Sequence, residues 1–512
     1  MERFLKRHEN RIKGIISGFD RILFSGTLSS IRYPKGMEIW LSSRGILYKE
    51  FKDYALGLSQ QIKAHAEKIA SQSGHRIIYL ESSRESKEEI AKRIRDKESI
   101  TEGLICVLSC VEPCKSYSIE KEVEKGKLKL KLKQRKCLHF YFYYQDREYG
   151  FMHVRLQSWF PFTIQVYING REWLARQMEK SAIGYEQRDN CFTSIEDINT
   201  AQQIFYRLEE RRWDRFLNAL ARRVNPLIGI EELSLRNYYW SVRESEYATD
   251  IMFKSAKSLA EIYPSLLRHA IEEFSCENVL GFLQRHTNIR FQGEVRTDLR
   301  RRVEGKRIKH WVEENSIKMY DKQGSVLRIE TTINNARRFK VYRQAKRKGR
   351  ISNYWLPMRK GVVDMRRRAE VSLSANKRYL EALSVVGHTE PSCKLLDSVS
   401  KPLKRQGRSY RALRPISPED AKVFSLIFRG EFLIQGLRNK DLRKRLEVVA
   451  EQDLLSRHQA SARVTRLLRL LRAHGLIFKV RGTNFYRISK KGHDVMSTAI
   501  KFRQSNIALL AA

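Results

Sequence analysis

No Cys-x-x-Cys pair occurs among the seven cysteines, so the zinc-ribbon pattern is missing. No window approaches the roughly 18 uninterrupted apolar residues of a membrane span. The first residues, MERFLKRHENRIKG, are charged and lack the apolar stretch of a signal peptide. Acid is scarce: Asp+Glu total 58 against 99 Lys+Arg, which leaves a formal charge of +41 and a pI of about 10.1. That excess points to a polyanionic partner, most simply nucleic acid. A hydrophobic content of 42% excludes a disordered chain, and 512 residues suit two to four domains. Cys106, Cys110 and Cys114 recur every four residues. On a strand they spread over about 26 Å, too far to share a metal, so buried thiols in a reducing cytoplasm are expected.

The stretch Ile317–Ile333, IKMYDKQGSVLRIETTI, alternates apolar residues on both sides of a Gly-containing turn and predicts a β-hairpin. Pairing Tyr320 with Arg328 sets Lys318 opposite Glu330. One face then carries Ile317, Met319, Leu327, Ile329, Thr331 and Ile333. The other carries Lys318, Tyr320, Lys322, Arg328, Glu330 and Thr332, with Asp321 at the turn. A one-residue slip would mix the two sets. The polar face suits phosphate chemistry or a solvated ladder of ion pairs. Basic runs flank it, at Phe291–Arg302 and Lys306–Lys309 before it and at Asn334–Arg350 after it. Arg337, Arg338, Lys340 and Arg343 in the last run suit a phosphate-tracking groove. Tyr320, Phe339, Tyr342, Tyr354 and Trp355 lie close enough in sequence to stack on bases.

Along the rest of the chain, Ile15–Leu28 predicts a strand or hairpin with Asp20 in an apolar run and Gly26 at a turn. Ser86–Ile94 predicts a helix with a Ser86/Glu89 capping box. Gly103–Val111 predicts a buried strand, and Glu124–Lys136 an exposed Lys-rich hairpin arm. Leu138–Ile168 predicts two or three strands, with a turn at Asp146–Gly150. The stretch Tyr143–Gln157 echoes the Tyr, Asp, Gly and Arg order of the central hairpin, which suggests a duplicated sheet or two facing halves. Arg171–Val224 and Ser245–Arg290 predict helical blocks. His139 and His153 read as packed or solvated rather than as ligands.

Residues 416–502 predict a compact module. Ser417 caps a first helix with Pro418 at its first position, Asn439–Glu447 is a second helix and Ser456–His474 a third, stopped by Gly475. Two short strands follow around Gly482, then a helix over Lys490–Phe502. This order, with "HGLI", a basic wing, "YRIS" and "KKGHDV", resembles the winged-helix module of MarR-type regulators. The whole chain resembles a large bacterial protein group labelled from that last domain. The resemblance implies a recognition helix whose outward Gln459, Arg463, Arg466 and Arg469 meet a DNA major groove, with Lys479 and Arg481 in the wing. A winged helix used for protein contacts is the alternative.

The string Tyr320-Asp321-Lys322, then Arg328-Ile329-Glu330, resembles the "YDK … RhE" signature of rolling-circle replication initiators. That resemblance implies a tyrosine nucleophile, Tyr342 with Tyr320 as fallback, and Glu330 as ligand of a divalent metal, Mg or Mn. It also implies that Asp321 and Lys322 shape the site. The chemistry would further need a second acid, Asp20 or Asp146, with Lys318 and Arg328 assisting. No His-hydrophobic-His pair supports the other nickase metal arrangement.

The fold class expected is an α+β multidomain chain: an antiparallel-sheet core with helical insertions, plus a C-terminal winged helix. Its regions are 1–170, α/β with an aromatic-rich hairpin; 171–290, helical; 291–360, the basic β-hairpin; 361–415, helix and linker; and 416–512, the winged helix. The function expected is that of a mobile-element DNA-binding protein, replication-initiator or transposase-like, with metal-dependent nicking. The alternatives are a non-enzymatic transcriptional regulator, with no cofactor, or an RNA-binding protein. The partner is DNA, with single strands and a homodimer left open, and no membrane.

Overall fold

The computed structural model describes residues 1–122, 127–285, 293–302, 305–347, 349–386, 392–405, 407–428, 432, 436–449, 457–480 and 483–504. It is a mixed α/β protein built around one large sheet. The strands, in chain order, are β1 (Ile12–Leu28), β2 (Ile78–Leu80), β3 (Gly103–Lys121), β4 (Leu128–Asp146), β5 (Gly150–Gln157) and β6 (Ile164–Asn169). They continue as β7 (Tyr185–Gln187), β8 (Phe192–Ile195), β9 (Tyr238–Phe253), β10 (Val295–Arg302), β11 (Gly305–Val312), β12 (Asn315–Lys322) and β13 (Val326–Ile333). The sheet has eleven strands in the order β10-β11-β12-β13-β9-β1-β6-β5-β4-β3-β2, and β7 and β8 pair separately. The pair β2–β3 is parallel; the other neighbours are antiparallel. This one sheet draws strands from the regions 1–170, 171–290 and 291–360.

The central hairpin has the expected register: Tyr320 lies opposite Arg328, Lys318 opposite Glu330 and Met319 opposite Ile329. Its apolar face packs on the helix Met365–Leu383, with Ile317, Met319, Ile329 and Ile333 in one core cluster with Ala375, Tyr379 and Leu380. Thr331 donates to Asn376 Oδ1 at 2.7 Å, and the Asn376 amide donates to Thr249 Oγ1, so these two polar side chains are paired as burial requires. The other face is not solvated: every residue of β13 is buried.

Ser86 does cap its helix by accepting from the Glu89 amide, and the β4–β5 turn falls at Asp146–Gly150. The two echoing hairpins lie in the same sheet, separated by β9, β1 and β6, and do not face each other as halves. Two expectations need correction. Ile15–Leu28 belongs to one 17-residue strand, and Gly26 is mid-strand, where its missing side chain admits Ile164 and Trp240. The block from Ser245 is not helical at its start, because Tyr238–Phe253 is β9, in which Tyr238, Trp240 and Val242 alternate inward. The described part of the basic runs before the hairpin forms β10 and β11, an extension of the sheet, while Phe291 and Gln292 lie outside the described residues.

After β13 a short turn, Ala336–Arg338, leads into the separate hairpin β14 (Lys340–Arg347) and β15 (Arg350–Pro357). The C-terminal region has its own core cluster, formed by Phe424, Leu442, Val464, Leu468, Leu471, Val495 and neighbours. Its helices are Pro418–Ile427, Asn439–Val449, Arg457–Ala473 and Lys490–Gln504, with a strand pair Ile477–Lys479 and Tyr486–Ile488.

Candidate functional site

Four adjacent strands, β12, β13, β9 and β1, build the site. Residues opposite one another in a ladder share a face. Lys318 and Tyr320 therefore share a face with Glu330 and Arg328, Arg328 with Asp250, and Arg21 with Glu246. A register shift between Phe19 and Arg21 makes Asp20 an extra residue on β1, the kind of bulge that re-aims a side chain.

Asp20 and Asp250 are clamped by two buried arginines. Arg328 donates to both Asp250 oxygens, Nε at 2.6 Å and Nη2 at 2.8 Å, and through Nη1 to Asp20 at 3.0 Å. Its Nη2 also donates to the Asn190 carbonyl oxygen, and the Asn190 amide donates to Asp20. Arg171 reaches Asp250 at 3.1 Å and Asp20 at 3.9 Å. Burial alone would raise the Asp20 carboxyl; the charges of Arg328 and then Arg171 outweigh it and hold Asp20 below the usual carboxylate range.

Beside this clamp lies a second carboxylate group. Oxygens of Asp20, Glu246 and Glu330 lie within 4.8 Å of one another. Lys318 Nζ sits between the glutamates, 2.6 Å from Glu330 and 3.4 Å from Glu246. Tyr320 donates to the second Glu330 oxygen at 3.0 Å. One ammonium is thus shared by two carboxylates, and Arg21 reaches Glu246 from the other side at 3.8 Å. Burial, and then the Glu246 charge, push Glu330 up to about 7 against the pull of Lys318. Burial and then Glu330 push the Tyr320 phenol well above its usual value. The group is nearly closed off; its side chains nearest solvent are Lys318 and Glu246, 11% and 14% exposed, and they mark its narrow opening.

Next to that opening, cations gather on the same face. Lys309 lies opposite Lys318 and Arg307 opposite Tyr320. Burial, followed by the charges of Lys318 and Arg307, presses Lys309 down to about 8. Across the opening, Arg21 is exposed, while Tyr167 and His153 stack with ring centroids 5.2 Å apart. A half-exposed sheet face with crowded cations can hold a phosphate chain.

Of the residues singled out from sequence, Lys318, Tyr320, Arg328, Glu330 and Asp20 come together here. Two others do not. Asp146 accepts from the Glu148 and Tyr149 amides, at 2.8 and 2.9 Å, and so caps its turn. Asp321 alternates with Tyr320 onto the opposite face, and its carboxylate rests over Gly305. Tyr342 stands exposed on β14 with its ring against Trp355. Arg337 is exposed and Arg338 pairs with Glu313 at 2.8 Å; Lys340 is exposed and Arg343 half-buried. Glu246, Asp250, Arg171 and Asn190 were not anticipated. The signal for the first two was the two-residue alternation of aromatic and β-branched residues through Tyr238–Phe253, interrupted by Arg243 and Glu244.

On the helix Arg457–Ala473, Val464, Leu468 and Leu471 face the core, while Gln459, Arg463, Arg466 and Arg469 are exposed. Lys479 is exposed; Arg481 lies outside the described residues. A cleft of about 1170 Å³ beside this helix is lined by Arg438, Lys440, Arg469, Arg472, Lys479 and Arg487. Comparison with protein-family models, curated proteins and solved structures finds no match.

Proposed function

We propose that this protein binds DNA and cuts one strand at the Asp20–Glu246–Glu330 group with a divalent cation, in the manner of a replication initiator or transposase of a mobile element. The observation that carries the reading is the convergence of three carboxylates, one of them pushed up to about 7, beside a tyrosine that already donates to it. Mg or Mn, as hard cations, take carboxylate oxygens. Asp20, Glu246 and Glu330 are the residues that would hold such a cation, and its charge would ease removal of the Tyr320 proton. In the reaction the Tyr320 oxygen bonds to phosphorus and its proton passes to Glu330. The bond from phosphorus to the departing sugar oxygen breaks, and that oxygen takes a proton from Lys318. Arg328 and Arg171 position Asp20 and touch no substrate. Tyr320 takes the nucleophile's role over Tyr342 because it alone of the two contacts the carboxylate group. The C-terminal region acts as a winged helix that selects the duplex site, with Arg463, Arg466 and Arg469 toward the DNA.

The test is nicking of supercoiled and single-stranded DNA with Mg or Mn, and with chelator. Metal-dependent nicks with a covalent protein–DNA adduct, both lost in Tyr320→Phe and Glu330→Gln, are expected. Nicks without an adduct would remove Tyr320 from its role, and equal nicking by Glu330→Gln would remove the metal group from its role. A second reading rests on the completeness of the Arg328 clamp. A buried network in which every Arg328 nitrogen is paired also suits a purely structural element, and the protein is then a non-enzymatic winged-helix regulator. In that case duplex binding is lost in Arg466→Ala and no strand break forms.

A further inference from the structure

The hairpin β14–β15 has two unlike faces. On one, Val341 and Leu356 are buried, and Phe339 and Met358 at its root are inside the core. The register places Tyr342 opposite Trp355 and Lys346 opposite Ile351, so these four side chains share the other face with Lys340. There Tyr342 is 57% exposed, Trp355 66% and Ile351 65%, and both lysines are exposed. The two rings are 5.6 Å apart and inclined at 45°. Contact between the rings stabilises a hairpin, but it does not account for leaving three large apolar side chains in water.

We propose that this face is a docking surface for single-stranded DNA, with unstacked bases on Tyr342 and Trp355 and the phosphate chain on Lys340 and Lys346. Side chains two positions apart on a strand are about 6.8 Å apart, so the two lysines bracket the rings over about 20 Å. Exposed rings between cations match a chain whose bases have a free face and whose phosphates are anionic. A duplex offers the charge but hides the base faces, which is why the single strand is the occupant. The inference rests on the DNA-binding reading above, and it gives Tyr342 a stacking role in place of a nucleophilic one.

The experiment measures fluorescence anisotropy of a labelled 20-nucleotide oligothymidine and of a 20-base-pair duplex, at one stated salt concentration, with the full chain. The variants are the double substitutions Tyr342→Ala with Trp355→Ala, and Tyr342→Phe with Trp355→Phe. Stacking is worth about 1–3 kcal/mol per base, so the alanine pair should weaken oligothymidine binding about tenfold or more. It should leave duplex binding within about twofold, and the phenylalanine pair should keep most of the single-strand affinity. Unchanged oligothymidine binding by the alanine pair overturns the assignment, as does an equal loss on duplex and single strand. A wild-type chain that binds neither DNA fails the DNA-binding reading itself. A protein partner for this face would show as wild-type oligothymidine binding that ignores both pairs of substitutions, which also overturns the proposal.

Discussion

Arg328 donates four hydrogen bonds from inside the sheet, two to Asp250 and one each to Asp20 and the Asn190 carbonyl. Such a residue stabilises mainly by not leaving its partners alone. Arg328→Met strands two buried carboxylates with Arg171 as their remaining arginine, and should cost roughly 3–5 kcal/mol in urea unfolding. Arg328→Lys keeps the charge but not the forked geometry, and should recover only part of that. Glu330 predicts a pH effect of definite sign. Its folded value of about 7 lies above the ordinary glutamate range, so between the two values the folded chain holds a proton that the unfolded chain has released. Its contribution is fully present below the unfolded value and lost as pH rises towards 7. Thermal midpoints from pH 5 to 8 should therefore fall more steeply in the wild type than in Glu330→Gln. Asp20, held low, works the other way and adds stability that is lost on acidification.

The elements around the site meet at close quarters. Gly170 opens the helix Gly170–Lys180 directly against the Phe19 carbonyl oxygen, next to Asp20. A methyl group at that position meets backbone, which cannot rotate away as a side chain can. Gly170→Ala should destabilise by roughly 1–3 kcal/mol and move Asp20, with chemical denaturation and metal affinity as the two measurements. The central hairpin was legible because strand alternation has a strict period of two, and one register sorted apolar from polar residues. The capping box and the C-terminal helices were legible because caps and stops are local signals. The strand β9 was not, since Arg243, Glu244 and Glu246 read as a charged helix surface when taken without their partners. They sit on a strand because Arg21 and Lys318, far away in the sequence, lie beside Glu246. For the same reason Asp20 could be suspected but not paired. The partner that fixes it is 308 positions distant, and no local pattern encodes such a pairing.

At the scale of the whole molecule, the formal charge of +41 is presented on at least three separate surfaces: the half-exposed sheet face at Lys309 and Arg21, the hairpin β14–β15, and the C-terminal helix Arg457–Ala473. On the proposed DNA-binding reading, divided surfaces should lose function piecewise. Neutralising Arg463, Arg466 and Arg469 together to Gln leaves the core positions Val464, Leu468 and Leu471 untouched, so the fold should hold. Each phosphate contact contributes about −0.9 to the slope of log affinity against log salt. If all three arginines meet phosphate, the triple variant should flatten the duplex slope by about 2.7. Oligothymidine binding should persist through the hairpin, and cutting of single strands should persist at the buried carboxylates, while nicking of supercoiled duplex at its selected site falls away. A triple variant that keeps the full salt slope on duplex would move duplex recognition off this helix and onto the sheet face, where Lys309, crowded by Lys318 and Arg307, already favours an anion beside it.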